Sequence, residues 1–433
     1  MSWALWVWNA LTFAASPILR LLLRRRAARG KEIPARLHER RGIDSAPRPP
    51  GTLVWLHAAS VGETMSILPV LSELLATAPA VHVLVTTGTV TSARLLTDRL
   101  PALGLHDHVT HRFLPMDVLI WVGRFLDHWQ PNVGGFVESE LWPNLLTACR
   151  RRRIPLVLIN ARLSARSFMR WRRVRGLIAP MIDAVTEVQA QSEVDAHRFR
   201  ALGAANVTAP GNLKFAAPVL PVNEAELERL GMQLFGRPAW VAASTHLGEE
   251  AAIFAIHRSL APRHPGLLTI LVPRHPDRGA ELAAQAAAAG VAATRRSLGE
   301  APPADGVWIA DTLGELGLMY RLAPIAFVGR SLTAPGGGQN PLEPARLGCA
   351  VAVGPHVGNF SDTVARLMQA GALTRVADAA TLADWVETML RNPDQRAAMG
   401  RAGTAACARH ADLPARVAQR LLTLAQTTRM EAA

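Results

Sequence analysis

Short apolar runs alternate with longer helical stretches along most of this sequence, and this alternation constrains the fold more than any other feature. The runs are rich in Val, Leu and Ile, and continuous apolar runs separated by helices are typical of parallel strands buried on both faces. A first set comprises residues 52–57, 81–87, 133–137, 155–160 and 185–191, and a second set comprises residues 240–244, 267–272, 307–310, 325–328 and 350–353. The sequence therefore predicts an α/β protein with parallel sheets.

The alternation stops near residues 216–221, where Pro218 and Pro221 flank an apolar pair, and resumes with a helical stretch at Glu224. A chain of 433 residues is longer than the roughly 250–300 residues at which a single core stops growing. We therefore predict two Rossmann-like domains facing a cleft, an N-terminal domain of residues 31–217 and a C-terminal domain of residues 218–433. Ligands of such sheets bind beyond the carboxyl ends of the strands, so we expect the functional site in that cleft.

The first 30 residues predict a membrane anchor with a basic flank. Residues 2–19 carry no charge and contain three tryptophans, and a basic run begins at Arg20. A spanning helix needs about 20 apolar residues, so this segment, which Pro17 shortens further, either spans a bilayer or lies in its interface. A buried core helix and a cleaved signal peptide are the alternatives, although a signal peptide would carry positive charge before its apolar stretch.

The formal net charge of +13 favours anionic partners, which include nucleic acid, an acidic membrane surface and a phosphorylated substrate. Basic residues cluster at positions 20–41, 150–153 and 162–175, and a solvated surface is the alternative interpretation of the later clusters. Aromatic residues make up only 5% of the chain and Tyr320 is its one tyrosine, whereas single-stranded nucleic acid is bound by basic residues interleaved with aromatic ones. A nucleic-acid partner is therefore not expected.

Metal and disulfide chemistry are also not expected from the sequence. There is no Asp-x-Asp, and no group of His, Cys and Asp has the spacing of a metal site. The three cysteines are far apart, which favours a reducing, cytoplasmic compartment.

Polar residues follow the apolar runs of the first half. Glu63 lies at a strand-to-helix turn beside a glycine, where a carboxylate can serve as a general base or can stabilise the helix N-terminus. Glu138 and Glu140 are two residues apart, which places them on one face of an extended segment. Lys214 is one of only two lysines in the chain, and a surface lysine is the alternative for it.

Similar clusters follow the runs of the second half. Thr245 and His246 stand where a helix begins, which offers backbone N–H groups to a phosphate, although capping explains the same residue types. Arg274 follows another run and can bind a phosphate through two hydrogen bonds. Three glycines at 336–338 predict a flexible loop that runs into a helix, with Asn340 as its N-cap, Pro341 at its first position and Glu343 at its third.

Together these motifs resemble the 3-deoxy-D-manno-octulosonic acid (Kdo) transferases of Gram-negative bacteria. The resemblance rests on residues 57–63, 138–144, 160–164, 211–215, 244–250, 273–276, 311–316 and 340–344, which occur in order over nearly the whole chain. It implies a GT-B glycosyltransferase fold and inverting, metal-independent transfer of Kdo from CMP-Kdo to the lipid A precursor (lipid IVA) in lipopolysaccharide biosynthesis. It also implies a place on the cytoplasmic side of the inner membrane and no cofactor besides the donor.

The resemblance assigns expected roles to individual residues. Glu63 is implied to be the general base. The CMP-binding residues implied by the match are Pro273, Arg274, Leu313, Gly314, Glu315, Leu316, Asn340, Pro341, Leu342 and Glu343. The residues expected to line the cleft are Glu140, Lys214, Thr245, His246 and Gly337. Three positions depart from the family pattern, because Ala243 and Arg330 stand where glycine is common and Gln339 where histidine is common.

Two other enzyme classes fit the same architecture. A nucleotide-sugar epimerase would share the cleft, but it would convert its donor without an acceptor and would need no membrane anchor. A different membrane glycosyltransferase that uses another nucleotide sugar, such as a UDP-sugar, is the closer alternative.

Overall fold

The structure, a computed structural model, describes residues 2–217 and 219–432, and side chains up to residue 428. The described chain forms two compact units. The first unit contains the chain up to Ala217 together with the segment from His410 onward, and the second unit extends to Arg409. The two predicted α/β domains are present, but residues 410–433, which the predicted range 218–433 gave to the second domain, lie with the first unit.

The first unit is built around a seven-stranded parallel sheet with the order β3-β2-β1-β4-β5-β6-β7. Its strands are β1 (Leu53–Ala58), β2 (His82–Thr87), β3 (Val109–Phe113), β4 (Val133–Val137), β5 (Leu156–Ala161), β6 (Glu187–Ala190) and β7 (Val207–Thr208). Its helices before the second unit are α1 (Trp3–Ala14), α2 (Ser16–Ala28), α3 (Val61–Thr77), α4 (Val90–Ala102), α5 (Leu119–Trp129), α6 (Pro143–Arg151), α7 (Ala165–Arg173), α8 (Arg175–Ile182) and α9 (Glu193–Ala201). A short 3-10 helix (Leu213–Ala216) follows β7.

The second unit contains another seven-stranded parallel sheet, with the order β10-β11-β9-β8-β12-β13-β14. Its strands are β8 (Ala239–Thr245), β9 (Leu268–Pro273), β10 (Ala293–Arg295), β11 (Gly306–Ile309), β12 (Ile325–Val328), β13 (Ala350–Val353) and β14 (Leu373–Arg375). Its helices are α10 (Glu224–Gln233), α11 (Glu250–Leu260), α12 (Gly279–Ala288), α13 (Leu316–Leu322), α14 (Leu342–Arg346), α15 (Ser361–Gln369), α16 (Ala379–Arg391) and α17 (Pro393–Ala408).

The last helix, α18 (Leu413–Ala432), returns to the first unit and covers its sheet alongside α3. Leu421 is fully buried in the cluster that contains the apolar residues of β1 and α3. Arg420 adds an ion pair, since its Nε lies 2.6 Å from Oε2 of Glu187, the first residue of β6 in the same sheet. A helical pattern in the sequence does not show which sheet its apolar side covers, so the domain range could not be drawn correctly from the pattern.

The N-terminal segment forms α1 and α2, which rest on the first unit by one side. Leu5 is buried, and Trp8 Nε1 donates a hydrogen bond to Asp117 at 2.9 Å. Within the described residues, no helix alone has the length and composition to cross a bilayer, whereas α1 and α2, bent by 56° at their junction, meet that test as a pair. Membrane anchoring by this segment therefore stays a prediction.

Candidate active site

In each sheet the order in which strands are added reverses at one place. The connections from the strands on either side of this switch point leave toward opposite edges of the sheet. In the first sheet this switch lies between β1 and β4, and in the second it lies between β8 and β12. A crevice opens beyond the carboxyl ends of the strands at such a switch, and ligands of open α/β sheets bind there. The polar motifs that follow these four strands are therefore placed where a ligand site is expected within each unit.

Glu63 lies in the first turn of α3, directly after β1, and its side chain is buried. The Ser60 hydroxyl donates to Glu63 Oε1 at 2.7 Å, and the Ala59 backbone N–H donates to Oε2 at 2.8 Å. These contacts place the Glu63 carboxylate at the N-terminus of α3, as its alternative role of stabilising that helix end requires. Burial raises the pKa of Glu63 above its ordinary value, these hydrogen bonds oppose the shift, and the charges of Glu138 and Glu140 add to it.

Glu140 follows β4 and lies against the side chains of His57 and Trp142. His57 Nε2 lies 3.4 Å from Glu140 Oε2, and Trp142 Nε1 donates to the same oxygen at 2.6 Å. Burial raises the pKa of Glu140, but the interactions with His57 and Trp142 outweigh it, and the pKa lies below its ordinary value. Glu140 therefore carries a negative charge near Glu63 at neutral pH.

Lys214 is joined to the same region through Glu138. Its Nζ lies 2.8 Å from Glu138 Oε1, so Lys214 is not an isolated surface lysine. Glu138 has a left-handed backbone with φ 60°, and so does Asn160, with φ 54°, where the pairing of β5 with β6 shifts register. A left-handed backbone costs a residue other than glycine about 1 kcal/mol, and such strain clusters at functional sites.

The second unit has two strained residues at its switch point. Ser244 in β8 has φ 56°, at a register shift against β9, and Arg330 after β12 has φ 54°. Glycine is common at the position of Arg330 in the family pattern, and the observed φ gives the physical reason, because glycine adopts this backbone without strain.

Glu249 holds these two loops together. It is fully buried, and each of its carboxylate oxygens accepts two backbone N–H groups at 2.7–2.9 Å. Oε2 accepts from His246 and Arg330, and Oε1 accepts from Ser331 and Leu332. Sequence reasoning missed Glu249, because its signal, a Glu four residues after a strand end, is the same as that of ordinary capping.

His246, Thr245 and Arg274 meet at the ends of β8 and β9. The Arg274 backbone N–H donates to the Thr245 carbonyl at 3.0 Å, and the Thr245 hydroxyl is buried with no hydrogen-bond partner among the described residues. His246 Nδ1 lies 3.1 Å from the Ser244 carbonyl, so it carries the proton and leaves Nε2 as an acceptor. Burial lowers the pKa of His246, and Arg330 and His275 lower it further.

The triple glycine forms an irregular segment whose backbone only glycine adopts without strain. Gly336, Gly337 and Gly338 all have positive φ, of 57°, 114° and 79°. A Cβ on Gly336 would lie 2.2 Å from that of His356, and one on Gly337 would lie 2.7 Å from Asn359 Nδ2. The three glycines therefore allow this segment to pack closely on residues 356–359.

The helix after this segment, α14, begins at Leu342, one residue later than predicted. Pro341, not Asn340, is its flanking residue, although Asn340 Oδ1 still accepts the Leu342 N–H at 3.2 Å. Asn340 Nδ2 also donates to Glu343 at 3.2 Å, so the Asn-Pro-x-Glu motif is a small hydrogen-bonded unit.

The predicted segment after β11 forms the start of α13. Leu313 and Gly314 are exposed, and Leu316 is the first residue of α13. Hydrogen bonds from Arg296 Nη2, at 2.7 Å, and from the Thr312 hydroxyl hold Glu315 and lower its pKa. The predicted residues of the second unit therefore all lie at or after the carboxyl ends of β8, β9, β11 or β12. Thr245 is the last residue of β8, and Pro273 is the last residue of β9.

The described residues contain no group of three His, Cys, Asp or Glu side chains arranged to hold a metal ion. Besides Glu249, the sequence motifs gave no role to His57, which is buried and contacts Glu140. Because His57 is the penultimate residue of β1, the sequence alone does not distinguish it from a histidine of the core.

Comparison with known proteins gives one consistent result. The family model described as 3-Deoxy-D-manno-octulosonic-acid transferase (kdotransferase) matches residues 35–217. A probable mitochondrial 3-deoxy-D-manno-octulosonic acid transferase of Arabidopsis thaliana is 37% identical, with 90% of this chain and 88% of the relative covered. The 3-deoxy-D-manno-octulosonic acid transferase of Bordetella pertussis is also 37% identical, with 92% and 94% covered.

Solved structures share the fold at low identity. A UDP-GlcNAc 2-epimerase from Neisseria meningitidis aligns with a TM-score of 0.58 at 13% identity, covering 86% of this chain and 100% of that one. A glycosyltransferase from Rickettsia africae aligns with a TM-score of 0.51 at 10% identity, covering 86% and 99%. The predicted GT-B architecture is confirmed, and because epimerases share it, the fold alone does not separate the two classes.

We expect Glu249→Gln to destabilise the second unit. The amide keeps one acceptor oxygen and turns an NH2 group toward backbone N–H donors, so two of the four hydrogen bonds are lost. The expected decrease in the free energy of unfolding is roughly 2–4 kcal/mol. Thermal unfolding of the full chain measures it, with the exposed Glu281→Gln as control, and equal stability of the two variants would contradict the assigned role of Glu249.

Proposed function

Because this chain belongs to the 3-deoxy-D-manno-octulosonic acid (Kdo) transferase family, we propose that it transfers Kdo from CMP-Kdo to lipid IVA, a phosphorylated lipid A precursor, in lipopolysaccharide biosynthesis. The observation that carries the mechanism is the environment of Glu63, a buried carboxylate at the switch point whose pKa is raised. A general base works best when its pKa is close to the working pH, and burial moves Glu63 in that direction.

In the proposed reaction, Glu63 removes the proton from a sugar hydroxyl of the acceptor while that oxygen attacks the anomeric carbon of Kdo. The new C–O bond forms on the face opposite the leaving group, and the bond between the anomeric carbon and the CMP phosphate oxygen breaks. CMP leaves with the electron pair, and the proton stays on Glu63. The Ser60 hydroxyl and the Ala59 N–H fix the orientation of the carboxylate during this step.

The donor site is proposed at the carboxyl edge of the second sheet. Arg274 and Arg330 follow β9 and β12, and both side chains are exposed there. Their guanidinium groups can stabilise the phosphate charge that develops as CMP leaves. The buried Thr245 hydroxyl, the neutral ring of His246 and the Asn-Pro-x-Glu unit add hydrogen-bonding groups for the nucleotide.

Transfer of Kdo is tested directly by incubating the protein with lipid IVA and freshly generated CMP-Kdo and measuring the mass of the lipid by mass spectrometry. We expect a mass gain of one or more Kdo units. Glu63→Gln keeps the shape but removes the base, so the rate should fall at least about a hundredfold. Glu193→Gln, on the exposed side of α9, should behave like the unchanged protein, and an unmodified lipid with intact donor and folded protein would refute the proposal.

The pH dependence of transfer should show an acid limb set by Glu63. Because the base acts when deprotonated, the rate should fall as the pH decreases through the raised pKa of Glu63. Glu140→Gln removes a negative charge that raises this pKa, so the limb should move to lower pH. The kcat/KM profile of both proteins measures the shift, and a limb that stays in place or moves to higher pH contradicts the assignment.

We further propose that α1 and α2 attach the enzyme to the cytoplasmic face of the inner membrane. Their outward side exposes Trp3, Trp6, Leu11, Phe13, Ile18 and Leu21. Their other side packs on the first unit, so we favour a place in the membrane interface over a span. The exposed arginines of α2 would then lie at anionic headgroups, and each basic residue near the surface contributes about 1 kcal/mol to membrane binding.

Replacement of two exposed tryptophans should weaken membrane binding. Trp3→Ser with Trp6→Ser removes apolar area from the proposed interface, and co-sedimentation with vesicles of phosphatidylethanolamine and phosphatidylglycerol should fall about a hundredfold in affinity. Phe235→Ser is the matched control, because Phe235 is 92% exposed on the second unit. Equal vesicle binding by the unchanged protein, the double variant and Phe235→Ser would show that α1 does not contact the membrane.

A further inference from the structure

A cavity of about 290 Å³ lies at the carboxyl edge of the first sheet, against the second half of α2. Its apolar lining residues include Leu22, Leu23, Leu114 and Met116, and Trp142 also lines it. Leu22 and Trp142 are 45% and 40% exposed, whereas Leu23 is buried, so the cavity runs inward from the surface. The outward side of α2 is part of the surface that we assign to the membrane, and the cavity therefore opens close to lipid.

The cavity also has polar lining residues and adjoins the proposed base. His57 and Glu140 line it, and the Nε2 of His57, a buried side chain, has no hydrogen bond of good geometry among the described residues and lies 3.4 Å from Glu140 Oε2. Ala59 also lines the cavity, and its N–H donates to Glu63 Oε2. A ligand that fills the cavity therefore ends beside Glu63.

The charges around the cavity exclude a phosphate as its expected occupant. The lining contains two positive groups, Arg26 and Arg40, and three acidic ones, Glu32, Asp117 and Glu140, and both arginines pair with Glu32. The Arg40 guanidinium is already engaged, since it donates to Glu32, to the Leu114 carbonyl at 3.1 Å and to the Gly88 carbonyl at 2.6 Å. An uncharged, apolar group is what this lining accommodates best.

We propose that the cavity binds an acyl chain of the lipid acceptor close to where the chain joins the sugar. This inference rests on the proposed function. The chain leaves the membrane past Leu22 and lies along Leu23, Leu114 and Met116. The attached sugar reaches His57 and Glu140, where Trp142 Nε1 donates to Glu140. The acceptor hydroxyl is thereby held near Glu63, so acyl binding contributes to the orientation of the reaction as well as to affinity.

The test compares two acceptors, lipid IVA and the same phosphorylated disaccharide after removal of its ester-linked chains. Met116→Trp fills the cavity, and Leu22→Trp does so from its mouth in case the first variant is unstable. Each should lower the preference for the acylated acceptor, measured as a ratio of kcat/KM values, about tenfold, which is the effect of leaving about two methylenes of the acyl chain in water. Transfer to the deacylated acceptor should stay within about twofold. Met232→Trp, at an exposed methionine of α10, should leave both unchanged.

The possible outcomes separate the two proposals. An equal loss with both acceptors, or no loss with either, in a variant whose thermal unfolding matches the unchanged protein overturns the acyl site and leaves the transferase function standing. If the unchanged protein already shows no preference for the acylated acceptor, the acyl site is likewise overturned and the transferase function stands. Failure of the unchanged protein to transfer Kdo to either acceptor overturns the proposed function and the acyl site with it.

Discussion

The Glu249 carboxylate, which accepts four backbone N–H groups in a fully buried position, is the interaction on which the second unit's site depends. It joins the loop after β8 to the loop after β12 on the two sides of the switch point. Ser244 and Arg330 are strained in these loops, at about 1 kcal/mol each, and hydrogen bonds to a buried charge are strong enough to offset that strain. The loops are consequently held in place before a ligand arrives.

At the corresponding place the first unit carries the carboxylate of Glu63, which we propose as the general base. Glu63 accepts from the Ser60 hydroxyl and the Ala59 N–H, which is the geometry of helix capping, and the same contacts orient it for proton transfer. Capping alone would lower its pKa, but burial and the neighbouring charges of Glu138 and Glu140 prevail and raise it. The capping and general-base interpretations are therefore compatible, and the competition between hydrogen bonding and burial determines how good a base Glu63 is.

The sequence pattern predicted the central strands of both sheets because these strands are apolar on both faces. The four strands that it missed, β3, β7, β10 and β14, are the edge strands of the two sheets. They are short or carry polar residues, as in Val109–Phe113 with its buried ends and half-buried middle, because an edge strand is only partly covered. The candidate site residues were selected through their places after strands, whereas Glu249 and His57 received no role because burial and partners, not residue type, distinguish them.

The fold is shared with epimerases, so we look for the features that suit this chain to transfer where an acceptor would bind. The first unit holds three candidates: the proposed base Glu63, the outward apolar side of α1 and α2, and the cavity against α2. A lipid acceptor loses much of its translational freedom by staying in the membrane, and an enzyme that lies in the same interface meets it by diffusion in two dimensions. If the acyl chain is also held beside Glu63, most of the orientation required for attack is supplied by groups that take no part in the chemistry.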